Sequence, residues 1–231
     1  MNVAIVVAGG KGTRFGGNRP KQFLELNAIP IIVHTLRQFE RSQQIGAVIV
    51  VLPPEEVAAF QSSQDKFELK KAGCIVAGGQ TRAQSVQNGL AAIEEADVVA
   101  VHDGVRPLVT PDEIDEVVIA AAANGAAVLV APIGDTIKEI ENNRIARTVP
   151  RDRLRRALTP QCFRFDVLKW AYEDLAEIEA SGIEVTDDSF LVERLGVNIV
   201  AISGSARNIK ITNEEDLALA EILLKSVVRG Q

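Results

Sequence analysis

The chain has 231 residues, of which 47% are hydrophobic and 4% aromatic, and its formal net charge is −6. This length and composition suit one large α/β domain whose core consists of aliphatic side chains. The acidic balance and the scarcity of aromatic rings argue against a general nucleic-acid-binding protein, which needs a basic face and stacking platforms.

The predicted elements begin with a strand at residues 3–7 and continue as short apolar runs that alternate with helical patterns. The further runs are residues 47–52, 74–77, 98–101, 126–131 and 197–202. Strands that alternate with helices predict an α/β fold with a mainly parallel sheet and helices on both faces. Capping boxes predict helix starts at Thr110 and Thr212. We therefore expect residues 1–231 to form a single domain.

The first strand is followed by a glycine-rich, basic loop, AGGKGTRFG (8–16), and then by PKQ (20–22). Backbone N–H groups at such a strand end can hold phosphate, and Arg14 and Lys21 can neutralise the charge of a transferred phosphoryl group. The loop lacks the Gly-Lys-Ser/Thr ending of a Walker A motif, and Phe15 stands where a dinucleotide-binding fingerprint needs glycine. The glycines alone fit a tight turn equally well, but two cations in one short loop favour nucleotide chemistry.

A second glycine turn, GGQTRAQSV (78–86), follows another apolar run. Loops at the carboxyl ends of strands line the ligand crevice of an open α/β sheet. Two such loops can therefore hold a base and its phosphates. The alternative is a plain helix start with Thr81 or Ser85 as the cap.

The segment HDGVRP (102–107) follows the strand at 98–101. Asp103 lies just past the strand end, where it can meet a metal–phosphate complex or a hydroxyl group, and Mg²⁺ prefers such oxygen ligands. The alternative for Asp103 is a turn residue paired with Arg106. We expect His102 to serve packing only.

Residues 135–158 interrupt the alternation of strands and helices. Residues 136–140 and 144–149, on either side of Asn142-Asn143, predict an antiparallel hairpin with Arg151 at its base. An isolated hairpin is marginal in water, so this arm must pack on its own sheet or on another subunit.

Two later segments also carry polar groups of interest. Thr186-Asp187-Asp188 precedes a predicted helix, so Thr186 or Asp187 can simply be the N-cap. Residues 208–212 are predicted as a strand that contains Lys210, and a lysine in an apolar strand favours a role facing the site. No Gly-x-Ser-x-Gly motif is present. Direct displacement at phosphorus needs no protein nucleophile, only alignment and charge stabilisation.

The cysteines and the N-terminal sequence indicate the subcellular compartment of the protein. Cys74 and Cys162 have no paired spacing, and we expect two buried free thiols, as in a reducing compartment. The chain starts with a strand pattern instead of a basic targeting segment, and no apolar run approaches about 18 residues. We therefore expect a cytoplasmic protein (or a stromal one, in a plant) that engages neither membranes nor nucleic acid.

Taken in order, these motifs resemble those of the 2-C-methyl-D-erythritol 4-phosphate cytidylyltransferases over nearly the full chain. The matching segments are the first glycine loop with Arg14, residues 20–22, 78–86, 102–107, 135–138, Thr148 with Arg151, 158–161, 186–188 and 208–210. The resemblance implies a Rossmann-like nucleotidyltransferase fold with a β-hairpin arm. It also implies a homodimer through the 135–158 arm, CTP and a polyol phosphate as substrates, and Mg²⁺ or another divalent cation.

The resemblance also implies roles for individual residues. The catalytic cations are Arg14, Lys21, Arg151 (from the other chain) and Lys210, and the substrate-binding residues are Asp103, Arg106, Thr159 and Thr186. The nucleotide-binding residues are Ala8, Gly9, Gly10, Gly12, Gly79, Arg82 and Ser85. Asp103 also lies near the metal, which is held mainly by the phosphates of CTP.

Two positions depart from the family pattern. Gly9 stands where many relatives carry alanine, and Val105 stands where a small residue is common. Related pentitol-phosphate enzymes can carry a larger residue at the second position. A cytidylyltransferase for ribitol 5-phosphate or another polyol phosphate is therefore the alternative, although residues 147–154 of the arm favour methylerythritol phosphate. A non-catalytic, nucleotide-binding regulatory protein is the third possibility.

Overall fold

Seven strands form one mixed sheet in the computed structural model, which describes residues 1–10 and 20–228. Across the sheet they are β11 (Val200–Ser203), β7 (Ala126–Pro132), β10 (Arg155–Arg164), β6 (Val98–Asp103), β1 (Asn2–Val7), β4 (Ile45–Leu52) and β5 (Cys74–Ala77). All neighbouring pairs are parallel except those of β10, which runs antiparallel to β6 and β7. The predicted mainly parallel sheet is confirmed.

Helices cover both faces of this sheet, as predicted. The described helices are α1 (Ile31–Arg41), α2 (Val57–Ser63), α3 (Arg82–Ala91), α4 (Pro111–Asn124), α5 (Phe165–Ala171), α6 (Leu175–Ala180), α7 (Asp188–Glu193) and α8 (Glu214–Val228). On β1, Ala4 and Val6 pack with α1 and α4, whereas Ile5 packs with α3 and α5–α7. Because successive side chains of a strand point to opposite faces, a strand buried on both faces must be apolar throughout.

The helix starts match the predicted caps with one shift. Thr110 caps α4 through a complete capping box with Glu113, and Thr81 caps α3. At α8 the box lies one residue later than predicted, because the Asn213 side chain accepts from the N–H of Asp216 and the Asp216 carboxylate accepts from the N–H of Asn213. Thr212 therefore precedes the cap.

Two parts of the sheet differ from the prediction. Residues 155–164 form β10 near the sheet centre, and the last four residues of the predicted arm belong to this strand. A register shift between Ala157 and Gln161 interrupts the alternation that signals a strand. The predicted strand at 208–212 is wrong, since these residues form an irregular segment that joins the core through the Ile211 N–H bond to the Val105 carbonyl.

The predicted hairpin is confirmed as β8 (Ile137–Glu141) and β9 (Arg144–Val149), which, among the described strands, pair only with each other. Asn142 and Asn143 have φ angles of 47° and 62°, the left-handed geometry that a two-residue hairpin turn requires. Ile140 and Ile145 face each other across the pair and are 55% and 64% exposed. A shorter hairpin, β2 (Glu25–Leu26) with β3 (Ile29–Pro30), precedes α1.

The two thiols occupy different environments. Cys162 is buried, and burial raises its pKa, whereas Cys74 is exposed on the edge strand β5, so the prediction of burial is wrong for Cys74. Among the described residues, no helix combines the length and apolarity that a membrane crossing requires.

Candidate active site

A cavity of about 250 Å³ opens at the carboxyl edge of the sheet, beside the ends of β1 and β6. The predicted site residues that line it are Ala8, Gly9, Gly10, Lys21, Gly79, Arg82, Ser85, Asp103 and Lys210. Parallel strands bring their carboxyl ends to one edge, so loops far apart in sequence meet there. The predictions for Gly12 and Arg14 lie outside the described residues.

One wall of the cavity consists of the two glycine loops packed against each other. The Ser85 hydroxyl donates to the Thr81 carbonyl at 2.9 Å and accepts from the Gly79 N–H at 3.1 Å. A Cβ atom on Gly9 or on Gly78 would lie only 3.0 or 2.9 Å from Ser85 Oγ. A side chain at either position would therefore press on Ser85, and at Gly78 it would also press on the backbone of Gly9 at 3.3 Å.

Gln22 fixes the first glycine loop from behind. Its buried amide donates to the carbonyl of Ala8 at 2.6 Å and to that of Gly10 at 3.3 Å. The carbonyl and the following N–H of a trans peptide point in opposite directions, so the N–H of Gly9 points away from Gln22. Lys21, the residue before Gln22, lines the cavity. The sequence motif contained Gln22 but did not indicate this role.

The second wall is a cluster of charges around Asp103, the last residue of β6. Its carboxylate accepts from Arg82 Nε at 3.1 Å, from Arg106 Nε at 3.2 Å and from Lys210 Nζ at 3.0 Å. Burial alone would raise the pKa of Asp103, but the charges of Arg82, Lys210 and Arg106 hold it far below its usual range. The carboxylate therefore stays ionised and gathers three cations at the cavity.

Arg82 connects this cluster to α7. Its Nη2 donates to Asp188 at 2.8 Å, and the Tyr172 hydroxyl donates to the same carboxylate at 2.6 Å. Burial alone would lower the pKa of Arg82, but the two carboxylates of Asp188 and Asp103 raise it above its ordinary value. No sequence motif indicated Tyr172 or Asp188 as partners of Arg82.

His102 and Thr159 form a buried hydrogen-bond chain beneath Asp103. Because a carbonyl only accepts, His102 Nε2 donates to the Arg106 carbonyl, and Nδ1 accepts from the Thr159 hydroxyl at 2.9 Å. The Thr159 oxygen in turn accepts from the N–H of Asp103 at 3.2 Å. Burial lowers the pKa of His102 to about 3, so the ring is neutral. His102 thus does more than pack, because it orients Thr159 and the Arg106 segment.

Four predicted residues within the described ranges do not line the cavity. Arg106 and Thr159 contact Asp103, whereas Arg151 and Thr186 do not belong to this cluster. Arg151 is exposed and donates to the Gly134 carbonyl at the base of the arm. Thr186 is exposed, and the next residue, Asp187, is the N-cap of α7. The side chain of Gln161 stabilises that cap, because its NH₂ group donates to Asp187 and its amide oxygen accepts from the N–H of Asp188. Thr186 thus directly precedes the cap of the helix whose Asp188 pairs with Arg82.

The arrangement suits an anion that carries several charges. Arg82, Arg106 and Lys210 bring three positive charges to the cluster against two negative charges from Asp103 and Asp188. Among the described residues, no group of three or more His, Cys, Asp or Glu side chains can hold a metal ion. Cations such as these, together with a backbone N–H such as that of Gly9, are means by which proteins stabilise a transferring phosphoryl group.

The fold and the site define an α/β nucleotidyltransferase. A family model described as IspD, 2-C-methyl-D-erythritol 4-phosphate cytidylyltransferase, matches residues 2–226. The chain therefore belongs to the 2-C-methyl-D-erythritol 4-phosphate cytidylyltransferase family.

Individual relatives agree with this assignment. The 2-C-methyl-D-erythritol 4-phosphate cytidylyltransferase of Syntrophus aciditrophicus (strain SB) is 41% identical over 226 residues, covering 96% of this chain and 95% of that protein. The crystal structure of 4-diphosphocytidyl-2C-methyl-D-erythritol synthase from Anaerococcus prevotii DSM 20548 matches with a TM-score of 0.84 at 28% identity, covering 97% of this chain and 96% of that one. The 2-C-methyl-D-erythritol 4-phosphate cytidylyltransferase structure from Thermus thermophilus matches with a TM-score of 0.77 at 34% identity, covering 97% of this chain and 100% of that one.

Proposed function

We propose that this chain transfers a cytidylyl group from CTP to 2-C-methyl-D-erythritol 4-phosphate, releasing pyrophosphate. The product is 4-diphosphocytidyl-2-C-methyl-D-erythritol, an isoprenoid precursor. The observation that carries the proposal is the Asp103 carboxylate, held by Arg82, Arg106 and Lys210 in the cavity that the two glycine loops also line. A protein that only bound a nucleotide would not need this gathering of cations around the reacting phosphates.

In the proposed reaction a phosphate oxygen of the acceptor attacks the α-phosphorus of CTP. A new P–O bond forms while the bond to the bridging oxygen breaks, and pyrophosphate leaves with that electron pair. The glycine loops hold the nucleotide, and Lys21 with Arg14 stabilises the charge that develops on the α-phosphate. Lys210 holds the acceptor phosphate, since its side chain is 38% exposed while the Asp103 side chain that anchors it is only 8% exposed.

The residues present do not fit a protein-held Mg²⁺ site. Asp103 is the carboxylate that lines the cavity, and its oxygens already accept from three cations. Mg²⁺ commonly binds through substrate phosphates with few protein ligands. We therefore assign the divalent cation to the triphosphate of CTP.

Pyrophosphate release tests the reaction directly. Purified protein with CTP and Mg²⁺ is expected to release pyrophosphate with methylerythritol phosphate in preference to ribitol 5-phosphate. Equal or faster turnover of ribitol 5-phosphate would overturn the choice of acceptor. No turnover of either compound would favour a non-catalytic, regulatory protein.

The Lys21→Ala variant separates catalysis from binding. We expect kcat to fall by about 100-fold or more with little change in the KM for CTP, because an interaction formed in the transition state affects kcat. A loss confined to KM would assign Lys21 to ground-state binding. Lys66→Ala, at an exposed position between α2 and β5, is the matched control for a lost lysine.

We also propose that the hairpin arm makes the protein a homodimer and supplies Arg151 to the partner's acceptor phosphate. The support is that β8 and β9 form a separate two-stranded sheet and expose the facing pair Ile140 and Ile145. Such a hairpin gains little from its own chain, and a second subunit would bury this apolar pair. Arg151 lies at the base of the same arm.

Mixed dimers test the shared site. Arg151→Ala and Lys21→Ala subunits, each inactive alone, are expected to recover part of the activity after subunit exchange, because one of the two sites regains both cations. If subunit exchange is demonstrated by a labelled chain and no activity returns, Arg151 acts within its own subunit or not at all.

A further inference from the structure

Glu179, near the end of α6, reaches the second glycine loop from outside the cavity. One carboxylate oxygen accepts from the Thr81 hydroxyl at 2.7 Å, and the other accepts from the side-chain amide of Gln84, also at 2.7 Å. Thr81 lines the nucleotide cavity, whereas Glu179 does not. The two contacts span 98 and 95 residues of sequence. The Glu179 carboxylate of α6 thus holds the N-cap and the first turn of α3.

These contacts determine how Gln84 is turned. A carboxylate only accepts, so the NH₂ group of Gln84 must face Glu179 and the amide oxygen must face the other way. That oxygen accepts from the backbone N–H of Gln80 at 3.1 Å. The Thr81 hydroxyl proton is likewise directed to Glu179, which leaves its oxygen to accept from the N–H of Gln84 at 3.0 Å.

The result is a glycine turn whose N–H groups are held by α3. Ser85 takes the N–H of Gly79 and Gln84 takes the N–H of Gln80. In a trans peptide the carbonyl opposes the following N–H, so the carbonyls of Gly78 and Gly79 point away from these side chains. The orientation of both peptide planes next to the nucleotide therefore depends on the side chains of α3, and that of Gln84 depends on Glu179.

We propose that Glu179 is a positioning residue for the nucleotide. It fixes the amide of Gln84 and the hydroxyl of Thr81, and these hold the turn at 78–81 in the form that binds CTP; this inference rests on the proposed cytidylyl transfer. Because the turn contacts the nucleotide equally before and during the reaction, its disorder affects KM for CTP more than kcat.

The test exploits the polarity of the contact. A carboxamide offers one acceptor oxygen where the carboxylate offers two, so in Glu179→Gln either Thr81 or Gln84 loses its acceptor; we expect the KM for CTP to rise about fivefold with kcat nearly unchanged, as for a lost charge-assisted hydrogen bond. The single Gln84→Glu change sets two carboxylates against each other and should have a similar effect. The double variant Gln84→Glu/Glu179→Gln restores a donor facing an acceptor, and its KM should return to within about twofold of the starting value.

Glu177→Gln is the matched control, since it removes the same charge from the same helix at an exposed position. Calorimetric binding of CTP to the wild-type protein and to each variant accompanies the kinetics. An unchanged KM in Glu179→Gln, or a double variant no better than the single ones, overturns the positioning role while the proposed function stands. A wild-type protein that neither binds CTP nor releases pyrophosphate overturns the proposed function and this inference with it.

Discussion

The two walls of the cavity consist of different chemical groups, backbone in one and charged side chains in the other. The backbone wall is formed by Ala8–Gly10 and the turn at 78–81, and neutral side chains such as Gln22 and Ser85 fix it. The second wall consists of charged side chains around Asp103. The first wall depends on close approach of two loops, which a methyl group at Gly78 would push apart. The second depends on balanced charge, which one neutral substitution of nearly the same shape destroys.

The largest effect is expected at the centre of the charged wall. Asp103→Asn keeps the shape of the side chain but leaves Arg82, Arg106 and Lys210 without their shared carboxylate. We expect kcat/KM to fall by about 100-fold or more and the free energy of unfolding to fall by about 3 kcal/mol, since cations in a partly buried cluster lose their compensation. Pyrophosphate release and urea unfolding measure the two quantities.

Asp97→Asn is the control for this prediction. Asp97 directly precedes the same strand, but its side chain is 76% exposed and pairs with the chain terminus. An exposed pair contributes at most about 1 kcal/mol, so stability and activity should change little. Comparable losses in the two variants would contradict the view that the charged wall depends on Asp103.

The next effect concerns pH and the buried ring beneath the charged wall. Burial lowers the pKa of His102 to about 3 from its ordinary value of 6.5. The folded protein therefore binds fewer protons than the unfolded chain between these values. The contribution of His102 to stability is complete above pH 6.5 and is lost as the pH falls toward 3. We expect a loss of about 2 kcal/mol between pH 6.5 and 5, measured by urea unfolding at each pH.

His102→Asn should flatten this pH dependence. His34, whose pKa burial also lowers, lies against the Leu26 carbonyl away from the charged wall, and His34→Gln is measured alongside it. Asp103 has an ordinary pKa of 3.8 in the unfolded chain and a lower pKa in the folded protein, so its contribution to stability changes only below about pH 5. If the pH dependence of stability persists in His102→Asn and disappears in His34→Gln, it arises from His34 and the prediction for His102 is wrong.

A smaller effect is expected from volume added to the backbone wall. In Gly78→Ala the new methyl group would lie 2.9 Å from Ser85 Oγ and 3.3 Å from Gly9 Cα, so the two loops must separate. We expect the KM for CTP to rise about tenfold, with less change in kcat, because the loops bind the nucleotide in both the ground and transition states. Steady-state kinetics with CTP varied gives both constants.

Gly73→Ala is the control, since a methyl group there meets no described atom within 4 Å. Its KM should match that of the unmodified protein. If Gly78→Ala instead lowers kcat alone, the close contact of the loops stabilises the transition state. The backbone wall would then contribute to catalysis in the same way as the charged wall.

The sequence predicted most of the elements that form both walls. The glycine loops after β1 and β5, and Asp103 at the end of β6, were expected at one crevice, and all three line the cavity. Lys210 also lines it, although the strand predicted around it is absent from the described structure. The roles of these residues stay proposals. Strand β10 was not predicted, because Thr159, Pro160 and Gln161 interrupt its apolar alternation at a register shift.

The contacts that hold the walls in place were beyond prediction from sequence. Arg82 was expected to serve the nucleotide, but its guanidinium lies between Asp103 and Asp188. Glu179 belongs to no motif, yet it orients Gln84. Such partners lie far apart in the chain, and only the packing of α3, α6 and α7 on one face of the sheet brings them within hydrogen-bonding distance.

By itself, therefore, the sequence determined most of the alternating strands and helices, the two glycine turns and the hairpin arm, but not β10. These depend on local conformation and on the period of apolar residues, which neighbouring residues set. Tertiary structure alone decided which cations share Asp103, which ring nitrogen of His102 carries the proton and how the Gln84 amide is oriented. Each of these depends on donors and acceptors from distant segments, and a buried polar group takes the partner that packing places beside it.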